Sequence, residues 1–167
     1  MEKKTGAKAE KPEKPTAYAE FVADMPNLKM MTECPGGNVL FIACGDGEQE
    51  RFPAAHKLSK KAMPCKHTAY MAVAGGPLML ADSTCSAFLL EQVKFFVAHK
   101  EIATIHVCTH ADCGMAKVKK YTWAKQKAAM EKVVAKLKKI KTVEGAPVEV
   151  VSIVYGEKAN PNLYVLA

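Results

Sequence analysis

The hydrophobic positions of this chain fall into two kinds of segment, and the first kind is a short, continuous apolar run. Runs of this type are typical of β-strands that are covered on both faces, as in a parallel sheet. The predicted strands cover residues 39–43, 68–74, 104–108 and 148–154. After a turn at residues 155–161, a short edge strand at residues 163–166 can complete a hairpin.

In the second kind of segment, apolar residues recur every three to four positions, which is the period of an amphipathic helix. The clearest example lies within residues 116–141. Its apolar stripe consists of Met130, Val133, Val134, Leu137 and Ile140. Another predicted helix runs through residues 88–97, and Asp82 or Ser83 can cap its N-terminus. Shorter helices are predicted within residues 17–31 and 54–63.

The alternation of strands and helices predicts an α/β fold. We expect a mostly parallel, Rossmann-like sheet of about four strands plus a C-terminal edge strand, flanked by helices. With 167 residues, of which 49% are hydrophobic, the chain can bury one full core. Residues 1–16 are dominated by Lys, Glu, Ala and Pro, which predicts a flexible, lysine-rich tail before a single domain at residues 17–167.

Three features of the sequence bear on where the protein works. No apolar run approaches the roughly 18 residues that a membrane-spanning helix needs. The charged N-terminus has no apolar segment of the secretory type, so a cytoplasmic location is expected. Without export, the six cysteines favour thiols or metal ligands over a disulfide framework.

Positive charge is concentrated in one segment of the chain. Residues 116–141 contain ten lysines and one glutamate, a net charge of +9. Because the whole chain carries +7, the remainder carries −2. We interpret the segment as the solvated lysine face of an amphipathic helix. It has no arginine and only Tyr121 and Trp123 as aromatic residues, which argues against nucleic acid as a partner.

Two of the predicted strands end in side chains that bind metals. Cys44 directly follows the strand at residues 39–43, and His110 and Cys113 follow the strand at residues 104–108. Functional groups of parallel sheets gather at the carboxyl ends of the strands, so these three side chains are expected to meet. Two thiolates and an imidazole suit Zn²⁺. Three protein ligands leave a fourth tetrahedral position for water, which is typical of a catalytic zinc site.

Asp46, two residues after Cys44, is the candidate catalytic residue. Zinc lowers the pKa of a bound water, so a zinc-bound hydroxide is available near neutral pH. The carboxylate of Asp46 can accept a hydrogen bond from this hydroxide, or it can ligate the zinc itself. The two roles exclude each other at any instant, and the sequence leaves both open.

The ordered motifs resemble those of the β-class carbonic anhydrases. The matching segments are Cys44-Gly45-Asp46 after the first strand, Gly75-Gly76 after the second, and His110-Ala111-Asp112-Cys113-Gly114 after the third. The resemblance extends from about residue 39 through the final hairpin. It implies zinc bound by Cys44, His110 and Cys113, a homodimer as the smallest unit, and reversible hydration of carbon dioxide to bicarbonate. Relatives in that family hydrolyse carbon disulfide or carbonyl sulfide, so the resemblance also implies these small heterocumulenes as alternative substrates.

The chain departs from this family at Gly47-Glu48, where the family has Ser-Arg. In the family, the arginine pairs with the aspartate and holds it away from the metal. Glu48 repels Asp46 instead, so Asp46 is freer to close the metal site, unless Arg51 substitutes for the missing arginine. Two hypotheses follow: a zinc-dependent carbonate dehydratase, or a catalytically weak or inactive zinc-binding protein of the same fold whose site is closed by Asp46.

Other candidate residues have simpler interpretations. Asp112 is interpreted as a loop or cap residue, and Cys108 as a small buried hydrophobe. Gly75 and Gly76 are expected to serve the turning of the backbone. Cys65-Lys66-His67 resembles half of a second metal site, but the sequence offers no partner pair for it.

Overall fold

The computed structural model of the protein describes residues 16–31, 38–45, 68–155 and 162–166. The α-helices in these ranges are α1 (Ala17–Asp24), α2 (Leu78–Ala81), α3 (Ser86–His99), α4 (Gly114–Val118) and α5 (Trp123–Leu137). None of them is long and apolar enough to cross a membrane. The predicted helix at residues 54–63 and all of the predicted tail except Thr16 lie outside the described residues.

The strands of the described ranges form one mixed sheet. They are β1 (Lys29–Met30), β2 (Val39–Cys44), β3 (Thr68–Val73), β4 (Thr104–His110), β5 (Glu149–Tyr155) and β6 (Leu163–Val165). The order across the sheet is β1-β6-β5-β4-β2-β3. Strands β3, β2, β4 and β5 are parallel, whereas β6 is antiparallel to β5 and to β1. The predicted α/β fold with a mostly parallel sheet is confirmed, although β1, and not β6, is the outermost strand.

The two central strands are buried along their whole length, which explains their continuous apolar runs. Every residue of β2 and β4 is buried. One face of the sheet packs against the helices, in a cluster that includes Leu40, Ile42 and Val107. The opposite face contributes Phe41, Cys108 and Tyr155 to a second apolar cluster. Cys108 is therefore the small buried hydrophobe that the sequence predicts.

The lysine-rich segment forms two helices, where the sequence predicts one. Lys120 has a positive φ of 53° and separates α4 from α5. Thr122 then caps α5, because its hydroxyl accepts a hydrogen bond from the backbone N–H of Lys125 at 3.3 Å. The predicted amphipathic character is confirmed, since α5 buries Met130, Val133 and Leu137, while Lys125 and Lys132 on its other side are exposed.

Helix α3 begins at Ser86, later than a cap at Asp82 or Ser83 would place its first residue. Asp82 does not cap it but closes a preceding turn, accepting hydrogen bonds from the backbone N–H and the hydroxyl of Thr84 at 3.0 and 2.6 Å. The N-cap position belongs to Cys85, whose side chain makes no capping hydrogen bond. The predicted cap was wrong because an aspartate two residues before a threonine closes a local turn equally well.

Helix α1 lies on the body of its own chain, against α5. Phe21 is fully buried, and its ring meets the ring of Trp123 edge-on, with 5.1 Å between the ring centres. The indole N–H of Trp123 donates to Asp24 at 2.8 Å, and its backbone N–H donates to the Glu20 carboxylate at 2.7 Å. The helix ends at Asp24, and Pro26, which has no N–H for a helical hydrogen bond, lies in the 3-10 turn that follows.

His106 of β4 is fully buried, and we expect it to make stability depend on pH. Its ring meets that of Phe41 at 4.8 Å between ring centres, and burial lowers the pKa of His106 to about 4. The unfolded chain, with a histidine pKa of about 6.5, takes up the proton first as the pH falls. The contribution of His106 is thus fully present above about pH 6.5 and is lost toward pH 4, by about 3 kcal/mol.

Urea unfolding of the metal-free protein at pH 7, 5.5 and 4 tests this expectation. His106→Leu should show a smaller fall in the free energy of unfolding than the parent over this range. His99→Leu, which alters an exposed histidine at the end of α3, should retain the parent's fall. Equal pH dependence in the parent and His106→Leu would contradict the assignment.

Candidate metal centre

The parallel sheet brings Cys44 and His110 to the same edge. Each is the last residue of its strand, and β2 and β4 are adjacent and parallel, with Ala43 opposite Cys108. Cys113 follows one turn later and occupies the N-cap position of α4. All three side chains are buried, with 5%, 2% and 0% of their surface exposed.

The donor atoms of Cys44, His110 and Cys113 converge on one point. The two sulfur atoms are 3.8 Å apart, and one donor atom from each residue lies within 4.8 Å of the other two. Zinc binds thiolate sulfur at about 2.3 Å in tetrahedral geometry, so two sulfurs on one ion are about 3.8 Å apart. The cysteine pair therefore has the spacing of two zinc ligands, and the donor set suits that metal.

The two thiols contact each other, and this contact affects their protonation. The hydrogen bond with the Cys44 sulfur, together with burial, raises the pKa of the Cys113 thiol. The Cys113 thiol thus keeps its proton until a cation replaces it. A metal ion binding here must displace this proton, so its affinity is expected to rise with pH.

The turn between His110 and Cys113 is fixed by a residue that the sequence reasoning missed. Gln126 of α5 is fully buried, and its side-chain amide donates to the carbonyl of Ala111 at 3.0 Å. Within the turn, the backbone N–H of Cys113 donates to the carbonyl of His110 at 3.3 Å. A glutamine on the apolar stripe of α5, three residues after Trp123 and four before Met130, was the signal available in the sequence.

Asp112 lies in the same turn and contacts the histidine. Nδ1 of His110 and a carboxylate oxygen of Asp112 form a hydrogen bond. The Asp112 carboxyl group is 29% exposed and is not one of the three converging donors. The interpretation as a loop residue and not a ligand agrees with this position, but the sequence did not indicate the contact with His110.

The Gly75-Gly76 turn packs directly under the end of β2. Both glycines have positive φ, 78° and 52°. A Cβ atom on Gly76 would lie 2.5 Å from the backbone nitrogen of Cys44, and one on Gly75 would lie 2.8 Å from Cγ of Met115. The turn is therefore both a change of chain direction, as predicted, and the support beneath Cys44.

Several residues of the sequence hypotheses lie outside the described residues. They are Asp46, Gly47, Glu48 and Arg51, together with Cys65, Lys66 and His67. The role of Asp46 and the effect of Glu48 therefore stay predictions.

Among known proteins, matches are found with solved structures. No protein-family model matches the sequence, and no curated protein matches it. The fold is similar to that of the β-carbonic anhydrase CafD of the filamentous fungus Aspergillus fumigatus. The wild-type structure has a TM-score of 0.53 and 18% identity, covering 84% of this chain and 99% of that chain. The structure of a CafD mutant has a TM-score of 0.50 and 16% identity, covering 84% of this chain and 98% of that chain. At such identity the likeness shows the fold alone.

Proposed function

We propose that this chain is a zinc-dependent lyase that interconverts carbon dioxide and bicarbonate. The observation that carries the proposal is the buried Cys44, His110 and Cys113 triad at the carboxyl edge of a sheet with the β-carbonic anhydrase fold. A set of three protein ligands is typical of catalytic zinc, whereas structural sites are closed by four. A cytoplasmic homodimer, or a higher homo-oligomer, is part of the same proposal.

The chain's own residues would act mainly by placing charge. When bound, zinc supplies a Lewis acid that brings the pKa of a water molecule close to neutral. Cys44 and Cys113 would bind as thiolates and His110 as a neutral imidazole, so two negative charges balance the dication in a buried place. Asp46 would accept a hydrogen bond from the attacking nucleophile and orient it toward the central carbon of the substrate.

A second candidate function rests on Glu48. Since this residue carries negative charge where the family has an arginine, it cannot hold Asp46 away from the metal. Asp46 would then serve as the fourth ligand, and the protein would bind zinc without catalysis.

Stopped-flow hydration of carbon dioxide, on protein of known zinc content at pH 7 and pH 9, separates the two functions. We expect a rate proportional to bound zinc. One zinc per chain with no activity at either pH, toward carbon dioxide, carbonyl sulfide or carbon disulfide, would contradict the lyase and support the closed site.

The double variant Gly47→Ser with Glu48→Arg tests the reason for any weak activity. Restoring a cationic partner for Asp46 should raise the hydration rate per zinc by about 10-fold or more, within the range found for residues that orient metal ligands. Gly47→Ser alone is the matched control and should leave the rate unchanged. Equal rates in the double variant and the control would show that Glu48 does not limit the site.

A further inference from the structure

Asp112 stands between two of the converging residues in the chain and contacts one of them in space. It lies two residues after His110 and one before Cys113, and its carboxylate is hydrogen-bonded to Nδ1 of His110. The His110 ring is 2% exposed, so this contact is made where water has little access to the ring.

The hydrogen bond decides which ring nitrogen can bind a metal. A neutral imidazole has one N–H and one nitrogen with a free lone pair, and an ionised carboxylate can only accept hydrogen bonds. Nδ1 must therefore carry the proton that it donates to Asp112. The lone pair is left on Nε2, which lies on the other side of the ring from the carboxylate.

We propose that Asp112 is a positioning residue for the metal centre, which fixes the Nδ1–H tautomer and the ring orientation of His110 so that Nε2 faces Cys44 and Cys113. A carboxylate behind a ligating histidine also makes the imidazole a better electron donor. The inference concerns metal binding, and it rests on the zinc site of the proposed function but not on catalysis.

The surroundings of Asp112 make the proposal testable by substitution. The residue lines a cavity of about 510 Å³ together with Lys117 and Lys120, and neither Cys44 nor Cys113 is among the residues that line it. Because the His110 imidazole is neutral in this arrangement, removing the Asp112 carboxylate leaves no buried, unpaired charge. The turn itself keeps the Gln126 and Cys113 hydrogen bonds, so Asp112 variants are expected to fold.

Zinc affinity, measured by competition with a chromophoric chelator at pH 7.5, is the first test. We expect Asp112→Ala to lower the affinity by about 10- to 100-fold. Asp112→Asn, whose amide oxygen still accepts from Nδ1–H, should recover most of it. Asp82→Ala is the matched control, since it removes a carboxylate of similar exposure that pairs with Lys119. Affinity at the parent level in Asp112→Ala, or equal losses in the Ala and Asn variants, would overturn the proposal.

The tautomer of His110 can be determined in the metal-free protein, without an activity assay. Long-range ¹H–¹⁵N NMR of the metal-free protein, with His110→Gln to assign the ring signals, should show Nδ1 protonated in the parent. Asp112→Ala should shift the ring toward a mixture of the two tautomers. Protonated Nε2 in the parent would overturn the inference. Zinc binding that depends on Asp112, in a protein without hydration activity, would sustain the inference and remove only the proposed reaction.

Discussion

Cys113→Ser is expected to lower zinc affinity by more than about 100-fold, beyond the range of changes to residues that merely orient ligands. Serine is close to cysteine in size, so the side chain should still fit its fully buried position at the start of α4. Its hydroxyl does not ionise near neutral pH and is a poor replacement for a soft thiolate ligand. Only Cys44 and His110 would remain as described donors, too few for a stable zinc site.

The loss of zinc affinity must be separated from the general destabilisation that follows the removal of any buried thiol. Cys108→Ser is the matched control, because Cys108 is also buried, on β4, but belongs to the apolar cluster on the face away from the helices. Zinc content after dialysis, determined by elemental analysis together with a free-thiol assay, should fall to near zero in Cys113→Ser and stay at one per chain in Cys108→Ser. A full zinc complement in Cys113→Ser would refute the assignment of the site.

The sequence was sufficient for the parallel strands and the converging triad because both depend on burial at the centre of the sheet. β2 and β4 are covered on both faces, so they appear as unbroken apolar runs. Once these runs are parallel neighbours, their last residues must share an edge, and Cys44 and His110 meet there without further information. The fold and the candidate ligands were thus predictable from local patterns plus one topological rule.

The remaining features depend on contacts between distant parts of the chain. The hydrogen bond from Gln126 to Ala111 connects α5 with the turn between His110 and Cys113. The pairing of β1 with β6 involves only two residues of β1. A two-residue strand has no period to detect, and a buried amide looks like any other polar residue until its partner is placed. The break between α4 and α5 was missed because lysines recur on both sides of Lys120, whereas the positive φ of Lys120 interrupts the helical backbone.

Gly76→Ala is expected to cost about 4 kcal/mol or more of the free energy of unfolding, which is rare for the addition of one methyl group. Part of this cost is the positive φ of 52°, which an L-residue adopts with about 1–2 kcal/mol of strain. The larger part is steric. The new Cβ would lie 2.5 Å from the nitrogen of Cys44 and 2.8 Å from the carbonyl carbon of Ala43. These are backbone atoms of a strand held on both sides, so they cannot rotate away.

Gly145→Ala separates the two contributions, because Gly145 also has a positive φ, 85°, but a Cβ there would meet nothing within 4 Å. This control should lose only the strain of about 1–2 kcal/mol. Urea unfolding gives both values, and the zinc content of the folded fraction gives a second readout. Since relief of the clash must push the end of β2 away, Gly76→Ala should also bind less zinc, whereas Gly145→Ala should bind one ion per chain. Equal destabilisation of the two variants, with zinc retained in both, would show that the turn does not support Cys44.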